Sequence, residues 1–302
     1  MIINHHQRAF KEEAEKAKSP LGKRPDWLKV KLPTGENYSD VKNLMRNQNL
    51  HTVCEEARCP NIAECWNNRS ATFMILGDTC TRTCGFCNIK SGLPTELDLN
   101  EPARVADSVK ELGLKHVVIT SVNRDELKDG GASIFREVVR LINVNSPNTT
   151  IEILIPDFKG DEESFEIIMQ NPPDILNHNL ETVPRLYHAV RPQAKYERSL
   201  NLVKWFKTKF LRTKSGIMVG IGEKTDEVLS LMQDLVNHGC DILTIGQYLQ
   251  PTKLHLPVDR FVSPEEFRMY HDEGLKMGFK IVESSPLVRS SYHADKHASA
   301  IF

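Results

Sequence analysis

Residues 71–87 read ATFMILGDTCTRTCGFC, a short apolar run followed at once by three closely spaced cysteines. The apolar run predicts a buried strand. Cys80, Cys84 and Cys87 then lie in the loop that follows the strand, in the spacing C-x3-C-x2-C. In parallel α/β folds this edge of the sheet is where active sites are built. The stretch therefore predicts a parallel sheet with a site at the end of its first strand.

The same alternation of apolar runs and amphipathic stretches continues along the chain. Five further runs predict buried strands, over residues 116–120, 150–155, 174–180, 216–219 and 241–245. Stretches with helical periodicity lie between them, over residues 105–112, 133–142, 164–169, 200–210 and 227–238. This order predicts parallel strands with helical crossovers, as an open doubly wound sheet or a barrel. Because six units are fewer than the eight of a closed barrel, we expect a partial (β/α)6 TIM-like barrel with a gap along one side.

Two segments flank the predicted barrel, which spans residues 70–283. Residues 1–69 are polar and interrupted by prolines, and they predict an N-terminal extension that forms no core of its own. Residues 284–302 form a C-terminal tail that carries Arg289-Ser290-Ser291-Tyr292. The chain is thus expected to consist of an extension, a barrel and a tail.

Length and charge exclude several classes of protein. The 302 residues fit one large barrel-type domain or two ordinary domains. With 39 Lys and Arg against 40 Asp and Glu, the net charge is −1, so no basic field is available to hold a nucleic acid. No apolar run reaches membrane-spanning length, and the mean hydropathy is −0.39. Neither nucleic acid nor membrane is an expected partner.

The first residues and the cysteine content indicate the cellular compartment in which the protein is expected. Glu12, Glu13 and Glu15 interrupt the first residues, which therefore fit neither a secretory signal nor a transit peptide. The cytoplasm is the expected location. In that reducing compartment the seven cysteines are poor candidates for disulfides, and clustered cysteines there hold metal or do redox chemistry.

Six of the cysteines form two triads. A cuboidal iron–sulfur cluster normally takes four thiolates, so three thiolates leave one iron open to a substrate or cofactor. The triad Cys80, Cys84 and Cys87 fits this pattern, whereas a zinc site would need a further pair or histidines beside it. The second triad, C-x4-C-x5-C, lies in the extension, where a zinc site is the alternative; its members are Cys54, Cys59 and Cys65. Cys240 has no thiol neighbour in sequence and is interpreted as a small buried residue.

The C-x3-C-x2-C triad, with Phe86 before its last cysteine, resembles the signature of the radical S-adenosylmethionine (SAM) superfamily. The resemblance implies that SAM chelates the open iron through its amino and carboxylate groups. It further implies that one-electron reduction cleaves SAM to a 5'-deoxyadenosyl radical, which the protein positions and shields.

Both triads together with the Arg289–Tyr292 run resemble the lipoyl synthase family, over about Leu50 to Ala294. The resemblance implies two 4Fe-4S clusters and SAM, used to insert sulfur at C6 and C8 of a protein-bound octanoyl-lysine. It implies that Cys54, Cys59, Cys65 and a serine hold an auxiliary cluster, which donates the sulfur. Ser291 is the expected serine, and Ser290 is the alternative. A serine alkoxide is a harder and more easily protonated ligand than a thiolate, so it suits a cluster that must be dismantled.

The family resemblance also implies partners outside the chain. The substrates would be octanoylated carrier domains, namely acyltransferase subunits of 2-oxoacid dehydrogenases and the glycine cleavage H protein. The electron donor would be a flavodoxin or a ferredoxin.

Several stretches are expected to contact SAM. The run 216–223 resembles the G-x-I-x-G-x-x-E element of radical SAM proteins, with methionine in the isoleucine place; its expected contacts are Gly220, Gly222 and Glu223. Asn179 and Glu181 lie in a run similar to one in biotin synthase, where such residues bind SAM. Arg198 resembles an arginine that meets the SAM carboxylate, although a helix-surface arginine is an equally good interpretation. Residues 120–124, at the end of the second strand, are a further expected contact.

Two other functions are alternatives to the sulfur insertion that the resemblance implies. Within the superfamily, a methylthiotransferase usually adds an RNA-binding module, which is absent here, and a biotin-synthase-like enzyme acts on a free small molecule. From another class, a ferredoxin-type electron carrier would ligate two clusters fully with thiolates, and six clustered cysteines cannot supply eight ligands.

Overall fold

The structure is a computed structural model that describes residues 24–30, 36–68, 70–209 and 211–301. The first 23 residues, on which the expected location depends, lie outside these ranges, as does part of the expected extension between residues 31 and 35. Within the described ranges, no helix has the length and hydropathy needed to cross a membrane.

The centre of the fold is one eight-stranded sheet in the order β1-β2-β5-β6-β7-β8-β9-β10. Its strands are β1 His51–Thr52, β2 Thr72–Ile75, β5 His116–Ser121, β6 Thr150–Leu154, β7 Ile175–Asn177, β8 Arg212–Val219, β9 Ile242–Gln247 and β10 Ile281–Ser284. All neighbours are parallel except β1 and β2. A separate parallel pair is formed by β3 Thr79–Cys80 and β4 Lys90–Ser91.

Helices connect the parallel strands and cover the sheet. Those of the extension are α1 Glu36–Asn47, α2 Val53–Glu56 and α3 Ile62–Asn67. Those of the barrel and tail are α4 Glu101–Leu112, α5 Ala132–Asn145, α6 Glu162–Met169, α7 Tyr187–Val190, α8 Tyr196–Thr208, α9 Thr225–Asn237, α10 Pro264–Met277 and α11 Ala294–Ile301. Short 3-10 turns occupy Asp26–Leu28, Phe158–Gly160 and Pro184–Leu186. Parallel strands need helical crossovers of this kind between them, because a hairpin can join only antiparallel strands.

The predicted fold class, a partial TIM-like α/β barrel, is confirmed, and its main sheet has two strands more than expected. The six predicted strands are the six central strands of the sheet, and β8 begins four residues earlier than predicted. The two additional strands are the edge strands, β1 in the extension and β10 at the predicted boundary between barrel and tail. Only Val282 of β10 is buried, so its sequence carries no apolar run that would have revealed it. The helix α10 was missed as well.

The extension takes part in the core, which its polar sequence did not predict. Met45 of α1 and Trp66 of α3 are almost fully buried and belong to the same apolar cluster as Phe73 of β2. β1 pairs with the edge of the sheet through His51 and Met74. The extension is therefore packed against the barrel at the edge where the first cysteine triad begins.

Candidate cluster and cofactor sites

The barrel triad lies at the carboxyl ends of the parallel strands. Cys80 belongs to β3, directly after the loop that follows β2, and its Sγ accepts N–H groups from Arg82 at 3.4 Å and Asn123 at 3.3 Å. Cys80, Cys84 and Cys87 all line one large cavity of about 660 Å³. The structure thus places all three sulfurs where sequence reasoning expected a site.

Arg82, inside the triad, ties the cysteine loop to two strand ends, a role that sequence reasoning missed. Its guanidinium donates to Asp125 at 2.7 Å and to Asp157 at 2.6 Å, and its side chain is only 3% exposed. Burial tends to raise the pKa of Asp157, but the hydrogen bond and charge of Arg82 outweigh burial and hold that pKa well below its usual range. The sequence signal that could have revealed this role is a basic residue between two cysteines of the triad.

Four thiols of the two triads lie in surroundings that disfavour a free thiolate nucleophile. Burial raises the pKa of Cys84 to about 11 and that of Cys87 to about 12. In the second triad, burial raises the pKa of Cys54 to about 12 and also raises the pKa of Cys65. A reactive thiol has a lowered pKa, whereas these groups lose their protons only against a strong cation.

The second triad meets the C-terminal tail. Cys54 lies on α2, Cys65 on α3 and Cys59 in the turn between them, where its N–H donates to Cys54 O at 3.0 Å. The three cysteines line a small cavity of about 10 Å³ together with Ser291. Ser290 lines the large cavity but not this small one, which favours Ser291 as the oxygen donor.

Close backbone packing brings the tail to the second triad. Asn61, between the cysteines, donates its side-chain N–H to Leu287 O at 2.7 Å. Gly246 of β9 lies directly under the tail, where a Cβ would stand 2.0 Å from Val288 O. Only glycine allows the two backbones to approach this closely.

The donor sets suit iron–sulfur clusters. Within the described ranges, no group of three His, Cys, Asp or Glu side chains has the arrangement of a single-ion site. A cuboidal cluster holds its ligands farther apart than one ion does. The second triad offers three thiols and a hydroxyl oxygen, and the barrel triad offers three thiols without a fourth donor. Each set suits an iron–sulfur cluster. His178 is no fourth ligand, because its ring nitrogens face Ile155 O and Ser199 Oγ at 2.8 and 3.0 Å.

Asn179, Glu181 and Arg191 form a polar wall of the large cavity. Asn179 Nδ2 donates to Glu181 Oε1 at 3.0 Å, and Asn179 Oδ1 is buried without a partner among the described residues. Arg191 Nη1 donates to Asn179 O at 2.7 Å, while its Nε likewise has no partner there. Glu181 has φ of 67°, and such left-handed backbone at a non-glycine residue is typical of binding sites. Burial raises the pKa of Glu181, although the positive charge of Arg191 acts to lower it.

Arg198 does not line the cavity, contrary to the sequence-based expectation. Its Nη1 donates to Asp157 Oδ2 at 3.0 Å, so the guanidinium already has a carboxylate partner inside the protein. Arg191 lines the cavity next to Asn179 and Glu181, and Arg82 and Arg289 also line it. Sequence reasoning missed Arg191 because the turn at residues 184–190, which aims it inward, has no clear signal in the sequence.

Gly220, Gly222 and Glu223 do not line the cavity either. The Glu223 carboxylate accepts the N–H groups of Gly220 at 2.6 Å and Ile221 at 3.0 Å, so it closes a turn. A Cβ at Gly220 would lie 2.1 Å from Gln247 Nε2, so this glycine serves packing. Residues 216–218 of the same run do line the cavity. The later residues do not, because β8 ends at Val219 and the chain then turns away. Residues 120–123, at the end of β5, also line the cavity.

Comparison with known families agrees with this geometry. Residues 74–235 match the model of the radical SAM superfamily. Residues 3–59 match the model of the N-terminal domain of lipoyl synthase of the radical SAM family. A crystal structure of methylornithine synthase superimposes with a TM-score of 0.53 at 15% identity, over 93% of this chain and 87% of that one. That likeness concerns the fold alone.

Curated relatives are similar over nearly the whole chain. A lipoyl synthase from Rubrobacter xylanophilus is 60% identical over 273 residues, which are 90% of this chain and 85% of that protein. A lipoyl synthase from Symbiobacterium thermophilum is 55% identical over 286 residues, which are 94% of this chain and 89% of that protein. With its two cysteine triads, its serine-bearing tail and this degree of identity, the chain belongs to the lipoyl synthase family of the radical SAM superfamily.

Proposed function

We propose that this protein inserts two sulfur atoms, at C6 and C8, into an octanoyl chain carried on a lysine of a small protein domain, which gives the lipoyl cofactor. One observation carries the proposal: sulfurs of both triads, among them Cys59 and Cys84, line the same 660 Å³ cavity. A hydrogen-abstracting centre and a sulfur-donating centre must both reach one alkyl chain, and a shared cavity allows this.

The cofactors supply chemistry that side chains cannot. Unactivated C–H bonds have no acidic proton, so a general base would be useless and a radical is required. When bound, the clusters and SAM supply that radical and the sulfur. The role of the chain is to hold these groups at a fixed separation and to exclude water around them.

The two triads have different tasks in this proposal. Cys80, Cys84 and Cys87 hold the cluster whose open iron binds SAM. The auxiliary cluster is held by Cys54, Cys59, Cys65 and Ser291. Since an alkoxide is more easily protonated than a thiolate, the serine is the ligand that can detach as sulfur is withdrawn.

The polar wall of the cavity orients SAM. Arg191 takes the place that the sequence suggested for Arg198, because its guanidinium lies at the wall and Arg198 is paired with Asp157. Asn179 and Glu181 offer an unpaired amide oxygen and a carboxylate for the polar groups of SAM. Gly216, also in the wall, has no side chain to obstruct a flat adenine ring.

The apolar part of the cavity suits the octanoyl chain. Met74, Val122 and Met218 line it, and the open side of the partial barrel gives a carrier-bound arm a route inward. The carriers are acyltransferase subunits of 2-oxoacid dehydrogenases and the glycine cleavage H protein, and the electron donor is a flavodoxin or ferredoxin. The reducing cytoplasm is the compartment that keeps such thiols available for iron.

The deciding experiment combines metal analysis with turnover under anaerobic conditions. Reconstituted protein should contain about eight irons per chain, as expected for two four-iron clusters. It should also release 5'-deoxyadenosine and form lipoyl groups on an octanoylated carrier domain. Zinc at these cysteines, or the absence of SAM cleavage, would contradict the proposal.

Two variants separate the roles of the triads. Cys84→Ala should abolish SAM cleavage, because it removes a ligand of the SAM-binding cluster. Cys59→Ala should preserve SAM cleavage and stop sulfur transfer. Lipoyl formation by Cys59→Ala protein would show that the second triad is not the sulfur source.

A further inference from the structure

Trp66 carries a buried hydrogen-bond donor that has no acceptor. The residue lies on α3, directly after Cys65, and is fully buried. Among the described residues, no atom accepts a hydrogen bond from its indole Nε1. Buried N–H groups are nearly always paired, and an unpaired one costs about 1–3 kcal/mol. The position of this donor therefore needs an explanation.

The indole N–H lies toward the sulfur of Cys54, although the two atoms do not form a hydrogen bond of normal geometry. Both residues belong to one buried cluster. The backbone N–H of Thr72 and the indole N–H of Trp66 are both donors directed at this sulfur. A neutral thiol is a weak acceptor, whereas a thiolate bound to iron is a strong one.

Packing holds the indole in this orientation. The ring of Tyr38, on α1, packs on Trp66 with centroids 5.1 Å apart and planes tilted by 36°. Because Trp66 is 0% exposed, its ring has no route to solvent where the N–H would find water. The donor is thus fixed before any metal arrives.

We propose that Trp66 is a positioning residue of the auxiliary site, whose indole N–H donates a hydrogen bond to the Cys54 sulfur when that sulfur binds iron. The inference rests on the proposed function, since it takes Cys54 as a cluster ligand. Hydrogen bonds to cluster sulfurs withdraw negative charge, which raises the reduction potential and strengthens the hold on the metal. Trp66 therefore acts on the auxiliary centre and leaves the SAM-binding centre unaffected.

Trp66→Phe tests this, because phenylalanine retains an aromatic ring against Tyr38 and removes the N–H. Trp205→Phe is the matched control, since the Nε1 of Trp205 donates to Glu162 at 3.3 Å on an exposed part of the surface. The full chain is reconstituted anaerobically and titrated electrochemically under EPR detection. The SAM-binding centre is identified by the response of its signal to SAM.

In Trp66→Phe protein, the auxiliary centre should be reduced at a more negative potential and should lose iron to a chelator roughly tenfold faster, as supporting residues around metals commonly contribute. The SAM-binding centre should keep its potential and its SAM cleavage, and Trp205→Phe protein should match the wild type. Unchanged potential and unchanged iron loss in Trp66→Phe would overturn the inference.

A second variant covers the case in which phenylalanine leaves a gap and the protein does not fold. Placing β-(3-benzothienyl)alanine at position 66 exchanges the N–H for sulfur and retains the outline of the ring. The same negative shift in potential is expected, and its absence overturns the inference. Lipoyl formation by the wild type, measured separately, tells a failure of this inference from a failure of the proposed function.

Discussion

Tyr292 Oη donates a hydrogen bond to Glu64 Oε1 over 3.1 Å, although the two residues are 228 positions apart in sequence. Glu64 immediately precedes Cys65, and Tyr292 immediately follows Ser291. The bond therefore joins the neighbours of two proposed ligands of the auxiliary cluster. It follows that the auxiliary site is assembled only when the extension and the C-terminal tail pack together.

Replacing Tyr292 with Phe should loosen the tail. The hydrogen bond is partly exposed, so its loss should lower the free energy of unfolding by about 1 kcal/mol or less. Limited proteolysis of the tail should become several-fold faster, and auxiliary iron should be lost sooner. Tyr196→Phe is the control, because it also removes a Tyr–carboxylate bond, to Asp234 at 2.8 Å, far from the tail. Equal tail cleavage in the two variants would refute the role of Tyr292.

Gly246→Ala should displace the tail from the barrel. The new Cβ would stand 2.0 Å from Val288 O, a backbone atom that cannot rotate aside. We expect loss of about half of the iron while SAM cleavage persists, measured by iron analysis and 5'-deoxyadenosine release. Gly92→Ala is the control, since its Cβ would come no nearer than 3.3 Å to Thr79 Cγ2. Full iron content in Gly246→Ala protein would contradict the prediction.

Arg191→Lys should weaken SAM binding about tenfold, which corresponds to about 1.4 kcal/mol. Lysine keeps the charge but has one donor atom, whereas Arg191 reaches Asn179 O and Leu180 O with Nη1 and keeps Nε for a ligand. Equilibrium dialysis with SAM measures the effect. Arg198→Lys should change SAM affinity little, because Arg198 is paired with Asp157. A larger loss of SAM affinity in Arg198→Lys than in Arg191→Lys would contradict the prediction and support Arg198, the residue expected from the sequence.

His178 should make the protein less stable as the pH falls below neutrality. Burial, helped by the charge of Arg191, lowers the pKa of His178 to about 4, whereas an unfolded histidine titrates near 6.5. Between about pH 4 and pH 6.5 the unfolded chain binds a proton at this histidine and the folded protein does not, so the free energy of unfolding increases with pH. From pH 7 to pH 5 this amounts to a loss of about 2 kcal/mol.

Urea unfolding at both pH values measures this loss. His178→Gln removes the titrating group, so its stability should decline less over the same interval. The difference between the wild type and the variant isolates His178 from the other titrating groups. Parallel stability curves would show that His178 does not titrate in this way.

Much of the fold follows from patterns that depend on backbone periodicity. The six central strands were predicted because each is an apolar run, covered on its outer face by the crossover helices and on its inner face by the barrel interior. β10 escaped prediction because it buries only Val282, and an edge strand needs no apolar pattern. The packing of Trp66 into the core was also missed, since one aromatic residue in a polar segment has no period to detect.

The sequence by itself determined which atoms are available for metal and at what spacing, because cysteine spacing within a loop is a local property of the chain. Tertiary structure alone decided that Arg191 and not Arg198 reaches the cavity, and it separated Ser291, which lies with the second triad, from Ser290, which does not. The direction of a side chain depends on the elements packed around it. Those elements come from distant parts of the chain, as Glu64 and Tyr292 do, so no local pattern records where they meet.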